Sequence, residues 1–111
     1  MEYTQGPWID SPEAADAIIS THPDALADAG TNIGYYGGFV VCESVSRRDK
    51  PLIKAAPEML AALEADEALL HHAAYCEFCN DSADGECSEG LALLATAHKL
   101  RRAALAKARG E

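Results

Sequence analysis

The sequence lacks the features that would place it at once in a large functional class. No apolar run reaches the roughly 20 residues that a membrane-spanning helix needs. The first residues, 1–5, contain neither a basic start nor an apolar signal stretch. Neither a GxxxxGK phosphate loop nor a GxGxxG fingerprint occurs. We therefore expect no membrane partner, no export and a location in the cytoplasm.

Basic residues are missing from two long stretches. Residues 1–46 carry seven acids and residues 57–90 carry nine, with no Lys or Arg in either, and the formal net charge is -9. Such an acidic chain repels phosphate, so no general binding to nucleic acid is expected. The nine cations all lie in 47–56 and 91–111. They either compensate acidic helix starts or converge on an anion.

Large apolar side chains are also scarce. The chain has 111 residues, and 22 of them are Ala. That length suits a single domain over 1–111, with a thin core built from closely packed, Ala-rich helices. So small a core would gain from burying a helix face against a second copy, and a homo-oligomer is expected.

The first 46 residues predict an N-terminal arm, short helices and a β-hairpin. Gly6-Pro7-Trp8 begins an extended arm, and the Ser11-Pro12 cap signal predicts a helix to about Ser20. A second short helix should end near Gly30. Aromatic and β-branched residues on both sides of Gly37-Gly38 predict strands at about 32–36 and 39–45.

Residues 49–109 predict a helical hairpin. Two stripes of apolar residues at three- and four-residue steps indicate helices packed through those stripes, and the second helix should run from about Ser88 to Ala108. Pro57 should kink the first helix or split it. The predicted fold class is therefore α+β, a small antiparallel sheet followed by a long antiparallel helix pair. The stripes comprise Leu52, Ile53, Ala56, Leu60, Leu63, Leu70 and Ala74, then Leu91, Leu94, His98 and Leu105.

The turn of this hairpin, at 72–87, carries the strongest chemical signal. Cys76 and Cys79 form a CxxC pair, and Cys87 follows. A CxxC pair places two thiolates on one tetrahedral Zn²⁺. His72 precedes Cys76 by four residues and shares its helix face, whereas His71 is rotated away, although the sequence alone leaves either as the fourth ligand. We predict a structural zinc site at His72, Cys76, Cys79 and Cys87. A disulfide, a redox pair or unpaired thiols are the alternatives, and Cys42 is expected to be a small buried residue.

Two stretches of the sequence resemble a widespread group of small bacteriophage and prophage proteins. These open with a GPW element, here Gly6-Pro7-Trp8, and later carry an LIxAAPExLxAL helix, here Leu52 to Leu63. The resemblance covers roughly residues 3–70. The chain departs from the group's pattern just before the Leu52 helix motif, where it has Asp49-Lys50-Pro51 and the group usually has Asn-Ala. The resemblance implies a phage accessory protein, located in the host cytoplasm, and little about mechanism.

Three functions are compatible with these observations. The first is a non-enzymatic accessory protein that inhibits a host protein complex, such as an anti-CRISPR, by presenting carboxylates where phosphates would bind. The second is an oligomeric sponge for an anionic cyclic-nucleotide signal. The third is a thiol or metal enzyme, which a closed zinc site disfavours. For the sponge, the candidate ligand-binding residues are Arg47, Arg48, Arg101 and Arg102, with Tyr35 or Phe78 for stacking.

Overall fold

A computed structural model describes residues 3–76 and 87–111. The chain divides into two compact units, one of Met1–Pro57 with Ala106–Glu111 and one of Glu58–Leu105. Each is described by itself below, and the expectation of one domain over 1–111 stays a prediction. The α+β class is confirmed, because an antiparallel sheet precedes a pair of long helices.

The first unit contains a three-stranded antiparallel sheet in the order β1-β2-β3. Its strands are β1 (Trp8–Asp10), β2 (Ile18–Ser20) and β3 (Phe39–Cys42). Ile19 of the central strand pairs with Ile9 on one side and Val40 on the other, and a bulge lies at Ile18/Ile19. Strand β1 confirms the extended arm, in which the Trp8 indole N–H donates to the carbonyl of Thr4 at 3.1 Å.

The helix predicted from Ser11 to Ser20 is wrong, although its cap signal operates. The Ser11 hydroxyl accepts hydrogen bonds from the amides of Glu13 and Ala14, as at a helix start. Only a turn follows, closed by the Ala17 amide on the Ala14 carbonyl. Ile18 is completely buried in the central strand. Burial of this β-branched segment between two strands therefore overrides the local helix signal.

The predicted hairpin about Gly37-Gly38 is also wrong. Residues Asn32–Tyr36 form a short helix, α2, which follows α1 (Pro23–Ala27). Gly37 has φ 80° and ends α2 in the left-handed conformation, with its amide bonded to the Ile33 carbonyl. The glycine pair is thus a helix stop. Strand β3 begins immediately after Gly38 and pairs with β2, so the second predicted strand is confirmed in shortened form.

Pro57 splits the long helical segment. Helix α3 spans Lys50–Lys54, and α4 starts anew at Ala56 and runs to Tyr75. Pro57 lies in the first turn of α4, where a missing amide hydrogen costs little. Helix α5 spans Ser88–Ala108, with the predicted bounds.

The second unit contains the greater part of α4 and α5, and small side chains form its interior. Ala62 of α4 and Ala97 and Ala104 of α5 are buried. Seven of the nine buried apolar residues among the described positions are Ala, which confirms the thin, Ala-rich core. The predicted core stripes are wrong in part. Seven large side chains that the stripes placed in the core are exposed to solvent. Leu52 is in the first unit, and the others, in the second unit, are Leu63, Leu70, Leu91, Leu94, His98 and Leu105.

None of the helices in the described part of the chain has both the length and the apolar character needed to cross a membrane.

Candidate metal centre

The second unit brings a histidine and two cysteines together where α4 ends and α5 begins. One ligand atom each from His72, Cys76 and Cys87 can be chosen so that all lie within 4.8 Å of one another. The imidazole Nε2 of His72 lies 3.3 Å from Sγ of Cys87. All three side chains belong to residues of intermediate burial. This His/Cys/Cys group can hold a metal ion.

Helix geometry positions the two ligands on the α4 side. His72 and Cys76 are one turn apart, and the Cys76 amide continues the helical pattern by donating to the His72 carbonyl at 2.8 Å. Residues four apart lie above one another on one helix face. Any change that unwinds the last turn of α4 would therefore separate the imidazole from the thiol.

The N-terminus of α5 positions the third ligand. Cys87 directly precedes Ser88, the first residue of the helix, and Sγ accepts a hydrogen bond from the Gly90 amide at 3.4 Å. A side chain acceptor at this position takes the place of an N-cap oxygen. The hydrogen bond fixes the position of the sulfur at the start of α5, on the side where α4 ends.

The spacing of the group agrees with a tetrahedral ion. Zn–S bonds of about 2.3 Å and Zn–N bonds of about 2.0 Å separate a ligand nitrogen and sulfur by about 3.5 Å. The 3.3 Å between His72 and Cys87 is close to that edge. The other ligand atoms are at most 4.8 Å apart. They would have to approach one another by about 1 Å to bind one zinc ion, which a small side-chain rotation achieves.

The two neighbouring histidines have different surroundings. His72 is mostly covered and has Glu89 on the other side of its ring, at 4.0 Å from Nδ1. His71 is exposed and its ring contacts that of Tyr75 one turn later in a tilted arrangement, with the ring centroids 4.7 Å apart. Spacing alone had favoured His72, and the structure places His72 with the cysteines.

The remaining predicted residues are distributed differently. Cys79 and Phe78 lie outside the described residues. Cys42 is half-buried on β3, and burial raises the pKa of its thiol. Neither Cys42 nor Cys87 forms a disulfide with another described residue.

The candidate anion-binding arginines are divided between the units. Arg47, Arg48 and Tyr35 are exposed in the first unit, and Arg102 is exposed in the second. The Nε of Arg101 lies 3.2 Å from a carboxylate oxygen of Asp66. An ion pair within the hairpin thus engages one of the predicted cations.

Sequence reasoning missed the ion cluster at Asp10. Lys50 and Lys54 of α3 both approach its carboxylate, at 3.2 and 3.0 Å. The hydrogen bond from Lys54 lowers the pKa of Asp10, Lys50 adds to this, and partial burial opposes it. Two cations of the first basic cluster therefore converge on an anion of the chain itself. In the sequence, the four-residue step between Lys50 and Lys54, which places both on one helix face, was the only sign that they could share a partner.

Comparison with known proteins locates the chain among phage proteins. The model of the family described as Salmonella phage P22 protein Y8K6 matches residues 1–111. The chain belongs to this family. The expected phage origin is thereby confirmed, while the narrower resemblance through the GPW element and the LIxAAPExLxAL helix stays a prediction. No curated protein and no solved structure shows significant similarity to the chain.

Proposed function

We propose that this chain is a phage accessory protein that acts by binding and not by catalysis, and that one zinc ion clasps the tip of its helical hairpin. The supporting observation is the convergence of His72, Cys76 and Cys87 within 4.8 Å. The ion would join the C-terminal end of α4 to the N-terminal end of α5. A hairpin whose interior is mainly Ala has little other apolar burial to hold its ends together.

The donor set favours zinc over other common ions. Thiolate and imidazole ligands suit Zn²⁺, whereas Ca²⁺ and Mg²⁺ require oxygen ligands. Cys79 completes the CxxC pair and is the remaining member of the ligand set predicted from the sequence. Four protein ligands would leave no position for a reactive water, and this supports a structural role.

Metal content of matched variants tests the zinc proposal. The purified chain should contain about one zinc ion per molecule, as expected for a closed structural site. His72→Gln should lose most of it, whereas His71→Gln should retain it because that ring faces Tyr75. Circular dichroism establishes that both variants keep their helices. Equal zinc content in the two variants would contradict the proposed ligand set.

The partner we propose is a basic, nucleic-acid-binding channel of a host defence complex. Exposed carboxylates of the first unit include Asp24 and Asp28, which line a groove of about 330 Å³ together with Tyr3 and Phe39. Among the described residues, the only ion pair that involves either carboxylate is the one between His22 and Asp24, at 3.9 Å. Such a surface can occupy a site that normally receives phosphates.

Displacement of nucleic acid tests this partner. The chain should compete with target duplex for purified CRISPR effector complexes at low salt, and the competition should disappear near 1 M salt, where charge is screened to about 3 Å. The double variant Asp24→Asn/Asp28→Asn should compete less well, and Glu64→Gln in the second unit serves as the control. Undiminished competition by the double variant would contradict the assignment of this surface.

A second candidate, sequestration of an anionic nucleotide, has one observation in its favour. Arg47 lines a groove of about 570 Å³ with Lys50 and Lys54. Asp10 already engages both lysines, so an incoming anion would have to compete with that carboxylate. Thermal unfolding with a panel of cyclic nucleotides tests it, since a ligand at 100 times its Kd adds about 2.7 kcal/mol to stability.

A further inference from the structure

We propose that one face of the α4–α5 hairpin binds the same face of a second copy, forming a four-helix bundle. This Leu face consists of six exposed apolar side chains, three from each helix. They are Met59, Leu63 and Leu70 of α4 and Leu91, Leu94 and Leu105 of α5. The Leu face shares no residue with the metal centre or with the acidic groove of the first unit.

Helix periodicity places each set of three on one stripe. Leu63 and Leu70 follow Met59 by four and eleven residues, so the three lie within about 40° around α4. Leu91, Leu94 and Leu105 lie within about 60° around α5 by the same measure. The exposed fractions of Leu63 and Leu70 are 65 % and 69 %, so no described residue of the chain covers them.

An ion pair shows that both stripes lie on the same side of the hairpin. Asp66 is seven residues after Met59 and four before Leu70, so it lies in the α4 stripe. Arg101 is seven residues after Leu94 and four before Leu105, so it lies in the α5 stripe. Asp66 and Arg101 are joined at 3.2 Å. The two stripes therefore form one continuous surface.

A shallow groove continues this surface towards the tip. It has a volume of about 210 Å³, and the metal-centre residues His72 and Cys87 line it together with Ala73, Leu91 and Leu94. From Leu91 to Leu105, with the side chains at both ends included, the Leu face is about 27 Å long, and the two helices side by side make it about 20 Å wide. That outline covers about 540 Å² per partner, which is smaller than the roughly 800 Å² of a standard interface and in the range of weaker, reversible contacts. A monomer seldom leaves so large an apolar patch in water.

Charge selects a second copy as the occupant and also its orientation. In and beside the Leu face, α4 presents Asp66 and Glu67, whereas α5 presents Arg101 and Arg102. The other charged residues of the two helices lie on other sides of them. A hairpin of this kind is complementary to itself when α4 of one copy lies on α5 of the other. The alternative, α4 on α4, would place acid against acid.

The heights of the apolar residues agree with the same orientation. Leu70 lies five residues before the end of α4, and Leu91 lies three residues after the start of α5. At the other end, Met59 lies three residues after the start of α4, and Leu105 lies three residues before the end of α5. A two-fold axis parallel to the helices would thus bring apolar side chains of the two copies to similar heights.

Sedimentation of the zinc-loaded full chain tests the Leu face. The wild type should be a dimer, and Leu70→Lys and Leu94→Asp should each weaken self-association at least tenfold. Leu52→Lys is the matched control, because Leu52 is similarly exposed in the first unit, and it should stay dimeric. Circular dichroism and a cooperative melt verify folding of every variant. A monomeric wild type, or face variants that stay dimeric, would overturn the proposal.

Mixing the two face variants tests the orientation. The lysine introduced by Leu70→Lys would lie opposite the aspartate introduced by Leu94→Asp, so the mixture should form heterodimers more tightly than either variant alone forms homodimers. Each dimer has two contacts between position 70 of one copy and position 94 of the other. In the heterodimer one of these pairs the lysine with the aspartate, and the other keeps Leu70 against Leu94. If α4 instead lay on α4, these two positions would not meet and mixing would restore nothing. That result would overturn the arrangement proposed for the two copies.

Discussion

The Nδ1 atom of His72 lies 4.0 Å from Oε1 of Glu89, on the opposite side of the ring from the Cys87 thiol. A carboxylate behind a ligand imidazole fixes the tautomer and the ring orientation, and it makes the other nitrogen a better ligand. Glu89 is on the first turn of α5 and His72 on the last turn of α4. The 4.0 Å separation is longer than a hydrogen bond, and a small rotation of the exposed Glu89 side chain would bring its carboxylate within reach of Nδ1.

Removal of this carboxylate should weaken metal binding. We expect Glu89→Gln to lower zinc affinity about tenfold, at the lower end of the usual range for such positions, because 76 % of the Glu89 side chain is exposed. Competition with a chromophoric chelator measures it. Glu64→Gln, an exposed change on α4, is the control, and equal affinities for the two variants would contradict the orienting role.

Zinc should protect the thiols at the hairpin tip from alkylation. We expect Cys76 and Cys87 to react slowly with a maleimide in the zinc-loaded chain and rapidly after chelation, because the metal holds the thiolates. Cys42 should react slowly in both states, since burial raises the pKa of its thiol and leaves little thiolate at neutral pH. Peptide mass spectrometry resolves the three sites. If Cys87 were alkylated at the same rate with and without the chelator, it would not be a zinc ligand.

Asp10 should contribute stability that depends on pH. Its pKa is lowered in the folded state, chiefly by the hydrogen bond from Lys54. The stabilisation is present above the ordinary carboxyl pKa of about 4 and is lost as the pH falls through the lower folded value. About half of the Asp10 side chain is exposed, so Asp10→Asn should cost at most about 1 kcal/mol at neutral pH.

Urea unfolding at several pH values measures this contribution. The gap between Asp10→Asn and wild type should narrow below about pH 4. Glu13→Gln, an exposed carboxylate on the same unit, provides the comparison. A gap that stays constant down to acid pH would exclude the two lysines as its cause.

Two glycines near α2 should respond oppositely to alanine. A Cβ at Gly38 would lie 2.8 Å from the Ser20 carbonyl oxygen and 2.9 Å from Cδ1 of Ile19, both in the central strand. Gly38→Ala should therefore destabilise the chain by about 1–3 kcal/mol. At Gly34, inside α2, a Cβ meets nothing within 4 Å. Gly34→Ala should stabilise by up to about 1 kcal/mol. Thermal melts measure the change in Tm of each variant. Similar changes in Tm for Gly38→Ala and Gly34→Ala would contradict the close packing at Gly38.

Prediction succeeded where short-range signals and tertiary contacts agree. The bounds of α5, the break at Pro57 and the approach of His72 to Cys76 follow from helix periodicity, proline geometry and four-residue spacing. Prediction failed at 11–20 and 32–36. At 11–20 the cap signal was compatible with a helix or a turn, and pairing of Ile18–Ser20 with β1 and β3 decided for a turn and a strand. At 32–36 the aromatic, β-branched composition was compatible with a strand or a helix, and the segment forms a helix that ends at Gly37.

The amino-acid sequence by itself determined the α+β class, the Ala-rich interior and the clustering of thiols and imidazoles near one turn, because composition and spacing act over one or two helical turns. Tertiary structure alone decided three other matters. It placed Ile18 and Ile19 in the central strand, turned Asp10 towards two lysines, and left the leucine stripes of α4 and α5 outside the Ala-lined seam. The reason is the same in each case: periodicity identifies which residues share a face, but not what that face meets.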